Sequence, residues 1–198
     1  MRQRRQRTLQ ECLDYHIKDG RAIVFEGTVQ GERIKKAREL VIEAISDTPK
    51  KARIIELGCG AADISGPFSL WHVVSGFDVV PAVAPVIKQR FPWMSVTIKP
   101  IEEVRVQRCD CLVLCEILEH LHDPLDVVRE WLPFAKSVVI GHPLNEGDDW
   151  GEDGHSWSYT LEDFKNWFEV GGHELVKHEV FPMSCYAEMV IGLGRNKT

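Results

Sequence analysis

Residues 53–78 read Arg-Ile-Ile-Glu-Leu-Gly-Cys-Gly-Ala-Ala-Asp-Ile-Ser-Gly-Pro-Phe-Ser-Leu-Trp-His-Val-Val-Ser-Gly-Phe-Asp, and this stretch decides the fold. Arg53–Leu57 is an apolar run of strand length holding one carboxylate, Glu56. Gly58 and Gly60 follow, and they can take backbone angles closed to other residues and let a ligand approach the main chain. The next residues predict a helix start, which would aim unpaired N–H groups and its positive end at the same spot. That helix is short, because Gly66-Pro67 breaks it. His72–Asp78 is a second strand with an acid at its end. Asp78 stands where a nucleotide-binding α/β fold places a carboxylate for ribose hydroxyls.

A nicotinamide-type reading fails on one residue. The third glycine of G-x-G-x-x-G is Asp63 here, and a carboxylate facing a pyrophosphate would repel it. Glu56-Leu57-Gly58-Cys59-Gly60, with Asp78 ending the next strand, resembles instead the S-adenosyl-L-methionine (SAM)-dependent methyltransferases of the Rossmann-like class. In that family the glycine loop holds the methionine half of the cofactor and the second acid holds the ribose. The resemblance implies cofactor contacts from Glu56, Gly58, Cys59, Gly60, Asp78, Val79, Ile101, Glu116 and Ile117.

The rest of the chain predicts an α/β domain. Thr8-Leu-Gln-Glu11 is a capping box opening a helix with Leu9, Cys12, Leu13 and Ile17 on its apolar face and Gly20 at its end. In methyltransferases of this type such a segment often lids the cofactor, a role open to Tyr15, His16 and Phe25. Gly31–Asp47 is an amphipathic helix with Ile34, Ala37, Val41, Ala44 and Ile45 inward and Arg33, Lys36, Glu39 and Glu43 opposite. Pro81 opens a helix to about Arg90. Ser95–Lys99 is a third strand, Cys109–Cys115 a fourth buried on both faces, and Ser137–Gly141 a fifth. A helix from Pro124 to Trp131 separates the last two. Thr160 caps a final helix that Gly171-Gly172 stops, with Leu161, Phe164, Trp167 and Phe168 inward. Glu174–Phe181 and Glu188–Leu193 form a closing antiparallel hairpin. The sum is a mostly parallel seven-stranded sheet of the Rossmann-like methyltransferase kind. Residues 1–30 form a basic tail and lid helix, and residues 31–198 the SAM-dependent methyltransferase domain.

Sites in open α/β sheets form beyond the carboxyl ends of the strands. The polar residues there are Gly58-Cys59-Gly60, Asp78, Pro100-Ile101-Glu102, Cys115–His120 and His142-Pro143, expected to converge on one crevice. Cys-Glu-Ile-Leu-Glu-His-Leu-His-Asp-Pro (115–124) is a second stretch of resemblance, since Glu-x-x-Glu-His-Leu recurs in small-molecule O-methyltransferases and small-RNA 2′-O-methyltransferases. His142-Pro143-Leu144-Asn145 resembles that group's Thr-Pro-Asn turn with changes. Pro100 departs from the family, which usually has an acid there for the adenine amino group. The Ile101 backbone N–H or Glu102 would have to serve.

Methyl transfer to oxygen gains from a general base or a metal. His120, His122, His142 and His155 are the candidate bases, though each taken singly reads first as a hydrogen-bonded structural histidine, and His122 as a cap of the Asp123-Pro124 turn. His120 and His155 are the first choices. If a helix turn begins at Glu116, then Glu116, Glu119 and His120 share a face, and His155 could complete a Mg²⁺, Mn²⁺ or Zn²⁺ site. The resemblance implies the same four residues. Acids of the 146–153 loop (Glu146, Asp148, Asp149, Glu152, Asp153) would then accept from the outer ring nitrogens. The alternative has Glu116 lining the cofactor and Glu119 capping locally.

The net charge of −6 argues against a surface given over to nucleic acid. The N-terminal Arg2, Arg4, Arg5 and Arg7 read either as a disordered solvated tail or as a phosphate-contacting RNA arm. Six cysteines without metal or disulfide spacing suit a reducing cytoplasm, and no apolar run approaches a membrane span. The expected activity is methylation of an oxygen, or a nitrogen, of a small-molecule acceptor. The alternatives are an RNA 2′-O-methyltransferase with a divalent metal and a SAM-binding module without turnover.

Overall fold

Arg53–Leu57 (β1) lies inside a seven-stranded sheet whose order is β3-β2-β1-β4-β5-β7-β6. The other strands are β2 (Val73–Asp78), β3 (Ser95–Ile98), β4 (Cys109–Cys115), β5 (Ala135–Leu144), β6 (His173–Phe181) and β7 (Glu188–Asn196). The structure, a computed structural model, describes residues 1–4, 7–19, 31–146, 154–182 and 188–197. β1 to β5 run parallel, and β7 enters antiparallel between β5 and β6. The expected mostly parallel sheet with a closing hairpin is what forms.

Strand residues alternate between faces, and here both faces are apolar, the signature of a sheet covered on two sides. Ile54, Cys111, Val113 and Val139 go to one face. There they meet Ile34, Ala37, Val41 and Ala44 of α2 (Gly31–Ile45), while Val83 and Ile87 of α3 (Val83–Arg90) pack into the same layer. Ile55, Leu57, Leu112, Leu114, Val138 and Ile140 go to the other. They are covered by Val128 and Trp131 of α4 (Pro124–Trp131) and Phe164, Trp167 and Phe168 of α5 (Leu161–Val170). Each fully buried side chain of this kind is worth about 1.5–3 kcal/mol relative to exposure.

The helix ends follow the sequence chemistry. Glu11 Oε2 accepts from the Thr8 N–H at 2.8 Å and the Glu11 N–H donates to Thr8 Oγ1 at 3.3 Å, the capping box of α1 (Leu9–Asp19). Asp123 caps α4 by accepting from the Asp126 N–H, and Thr160 and Asp163 make a reciprocal box at α5. The Gly20 stop and Phe25 lie outside the described residues.

Four expectations are corrected. No α-helix follows the glycine turn: residues 61–65 make tight turns that lead into a 3₁₀ helix at Gly66–Leu70 with Pro67 in its first turn. α3 begins at Val83, with Pro81 in the turn before it. Arg33, expected on the solvent face of α2, is buried. The basic N-terminus is not a solvated tail, since Arg2–Gln3 pairs antiparallel with Trp157–Ser158.

Candidate active site

The strand ends around β1 open onto a cavity of about 450 Å³. Its floor is the glycine turn. Gly58 and Gly60 have φ of +67° and +49°, and a Cβ on Gly58 would stand 2.6 Å from Ile117 Cδ1, so the turn tolerates no side chain there. Asp78 grips this turn. Its Oδ2 accepts from the Gly60 N–H at 2.7 Å and its Oδ1 from the Val80 N–H at 2.8 Å.

Glu56 faces the same cavity and accepts from both the N–H and the hydroxyl of Ser65. Burial pushes its carboxyl up to about 7, against the pull of those two donors. Asp63, the residue that excluded a pyrophosphate, is used locally. It pairs with Arg90 at 2.7 Å, and its carbonyl takes the Arg38 guanidinium. Val79, Pro100, Ile101, Glu102, Cys59 and Ile117 also line the cavity, and Leu9, Cys12, Tyr15 and His16 of α1 cover it. Every cofactor-contact candidate from the sequence therefore borders one space.

Beyond β4 the chain turns sharply. Glu116 has φ of +57°, a left-handed angle costly for a non-glycine residue and concentrated at functional sites. Its N–H donates to the Gly141 carbonyl at 2.8 Å, and its Oε2 pairs with Arg33 Nη1 at 2.6 Å. Its Oε1 has no hydrogen-bond partner, and of the expected quartet Glu116 is the one that stands outside the tight cluster. Arg33 was missed because an arginine in a helical pattern reads as solvated. The signal was present, since it stands four residues before Ala37 on the edge of the apolar stripe.

Glu119, His120 and His155 do come together, each offering a ligand atom within 4.8 Å of the others. Leu118–His120 forms a 3₁₀ turn that residues 156–159 pin from one side. Ser156 N–H donates to the Glu119 carbonyl at 2.7 Å, Trp157 Nε1–H to the Leu121 carbonyl at 2.9 Å, and the Tyr159 hydroxyl to the Leu118 carbonyl at 2.8 Å. His155 Nδ1 lies 2.8 Å from both carboxylate oxygens of Glu146, which directs its Nε2 elsewhere. The other acids of that loop lie outside the described residues. The His120 ring sits edge-on between His16, at 4.7 Å, and His155, at 4.6 Å.

Glu119 is fully buried, and neither of its carboxylate oxygens has a hydrogen-bond partner; His120 Nδ1 has none either. Burial, with Glu116 adding to it, pushes the Glu119 carboxyl well above the usual range. Burial, with His155 and His16 adding to it, holds His120 well below its usual value. An orphaned buried carboxylate is rare and costly, and it demands a reason.

Of the two other candidate bases, His122 borders the cavity and His142 does not. His122 Nδ1 bonds the Arg7 carbonyl at 2.8 Å, while Asp123 alone caps the turn. His142 does not reach the cavity; it is buried against Tyr159 and Phe164, with Nδ1–H donating to the Pro143 carbonyl. Burial lowers its pKa to about 4. Its folded-state value is depressed, so its contribution is whole above the unfolded value of 6.5 and is lost as pH falls toward 4. His142→Phe should remove about 3 kcal/mol of the acid-side loss of stability. Urea titrations of both proteins at pH 7 and pH 4 that show equal losses would refute this.

The family match follows this geometry. Residues 29–178 match the model of the methyltransferase domain, so the chain belongs to that family, with the fold of the class I SAM-dependent enzymes. The chain is similar in fold to the N-methyltransferase NodS of Bradyrhizobium japonicum, solved with S-adenosylhomocysteine (TM-score 0.69, 16% identity, 86% of this chain and 88% of that one). It is also similar to the magnesium protoporphyrin IX methyltransferase ChlM of Synechocystis (0.69, 10%, 85% and 85%). A third match is the 1,6-didemethyltoxoflavin-N1-methyltransferase of Burkholderia thailandensis (0.67, 14%, 97% and 92%). Comparison with curated proteins gives no significant match.

Proposed function

We propose that the protein is a SAM-dependent methyltransferase that methylates an oxygen of a small-molecule acceptor beside a divalent cation held by Glu119, His120 and His155. SAM supplies the methyl group as an electrophile, so the protein chiefly aligns, encloses and tunes the nucleophile. Asp78 holds the ribose, and the Gly58–Gly60 turn holds the methionine half, to whose cationic end buried Glu56 offers a carboxylate. The adenine side falls to the Pro100–Glu102 segment.

The observation that carries the cation is Glu119, a fully buried carboxylate with both oxygens unpartnered beside two imidazoles at the cavity wall. A divalent ion there would acidify an acceptor hydroxyl. One carboxylate with two imidazoles suits Mn²⁺ or Zn²⁺ better than Mg²⁺, which favours an all-oxygen shell. Three protein donors would leave a coordination position for the acceptor oxygen, and His120 and His155 line the cavity from which it would come.

A small acceptor is favoured over RNA by the same structure. α1 roofs the cavity, and Arg4 and Arg7 of the basic arm make inward contacts. Labelled SAM offered with a panel of hydroxyl compounds, amines and short RNAs tests the reading. Transfer to a hydroxyl compound is expected, lost with a chelator and restored by Mn²⁺ or Zn²⁺. Transfer only to amines or only to RNA would overturn the acceptor assignment. Full activity after chelation would remove the cation and leave His120 or His155 as the base.

A further inference from the structure

The His155 imidazole is held from behind, and the N-terminal arm grips its holder and the backbone around it. Behind His155 stands Glu146, whose side chain is 2% exposed; Arg4, itself 4% exposed, places Nη1 3.7 Å from Glu146 Oε2. The Glu146 carbonyl accepts from Arg2 Nη2 at 2.9 Å. The Gly154 carbonyl, one residue before His155, accepts from Arg7 Nη1 at 2.7 Å. The Arg4 N–H donates to the Ser156 carbonyl at 2.8 Å, next to His155.

We propose that Arg4 and Arg7 are positioning residues of the cation site, an arm that orients His155 by fixing Glu146 behind its ring and the backbone on either side of it. This rests on the cation reading above. Arg4 Nη1 stands against Glu146 Oε2 and holds that buried carboxyl group in place behind His155. Glu146 in turn fixes the ring through Nδ1, 2.8 Å away, which directs Nε2 away from Glu146. Arg7 Nη1 and the Arg4 N–H fix the carbonyls of Gly154 and Ser156, the two residues that flank His155 in the chain. The cluster is thus assembled from residues at the start of the chain, after β4 and after β5, and the arm ties the last two together.

The test is calorimetric titration of the metal-free protein with Mn²⁺ and, separately, with S-adenosylhomocysteine. Arg4→Gln and Arg7→Gln should each weaken Mn²⁺ binding by about 10–100-fold, the usual cost of losing an outer partner of a ligand, and leave S-adenosylhomocysteine affinity unchanged. Arg4→Lys keeps the charge and should recover part of the Mn²⁺ affinity; circular dichroism checks that each variant is folded. Variants that bind Mn²⁺ as the wild type does would overturn the proposal. So would Mn²⁺ and S-adenosylhomocysteine affinities that fall together, which would make the arm a general brace. A wild-type protein that binds neither Mn²⁺ nor Zn²⁺ would instead sink the cation reading, and the arm's positioning role with it.

Discussion

Glu119→Met is expected to abolish cation binding and methyl transfer while making the metal-free protein more stable. Glu119 is 0% exposed and its two oxygens lack partners, so the folded protein carries a desolvated polar group with nothing to compensate it. An apolar side chain of similar length removes that cost, which is about 1–3 kcal/mol for a buried unsatisfied group. For a chain of this size each kcal/mol raises the melting temperature by about 2–4 °C. The pH dependence has a definite sign. Burial pushes the Glu119 carboxyl well above 4.5, so above about that pH the unfolded chain has released a proton that the folded protein keeps. The group therefore destabilises the fold increasingly as pH rises from there toward its folded value. The gain from Glu119→Met should be larger at pH 8 than at pH 5, as melting curves in chelator-treated buffer would show. A variant less stable than the wild type in that buffer would refute the argument. So would one that still binds Mn²⁺.

What was legible in the sequence is what neighbouring residues decide among themselves. Glu56 to Gly60 carry their own turn, Thr8–Glu11 and Thr160 their own caps, and the unbroken apolar run at Cys109–Cys115 its own burial on both faces. Pro67 announced a broken helix, although not that only a 3₁₀ turn would survive it. What was not legible are charges whose partners lie far along the chain. Arg33 looks solvated until Glu116 appears beside it, and Asp63 reads only as a charge hostile to a pyrophosphate until Arg90 pairs with it. The N-terminal arginines look like a tail because their acceptors, Glu146 and the Gly154 carbonyl, come well over a hundred residues later. In the candidate cation site the residue types were readable and the membership was not. The Glu116 to His120 spacing allows three ligands and His155 a fourth, and in the fold Glu116 turns to Arg33 while the other three draw together.

Asp78→Ala is expected to weaken S-adenosylhomocysteine binding by about 1.5–3 kcal/mol, roughly ten- to a hundredfold, the range for hydrogen bonds to a charged group. Two losses combine in that figure. The ribose hydroxyls lose their acceptor, and the glycine turn loses the carboxylate that holds the Gly60 and Val80 N–H groups at 2.7 and 2.8 Å. Asp78→Asn separates this geometry from charge alone. Each carboxylate oxygen accepts from a different backbone N–H, so an amide must turn its NH₂ toward one of them, donor against donor. Asparagine should therefore bind little better than alanine, although it keeps size and polarity. Glu56, buried with a carboxyl at about 7, provides an internal comparison, because Glu56→Gln keeps one acceptor for the paired donors of Ser65. Its loss should be smaller at pH 6 than at pH 8, where the wild-type carboxylate is ionised and available to a cationic ligand. Calorimetry at both pH values checks all three variants. An Asp78→Asn protein with wild-type affinity would take the carboxylate out of the cofactor site and leave the turn to hold the ligand through its backbone alone.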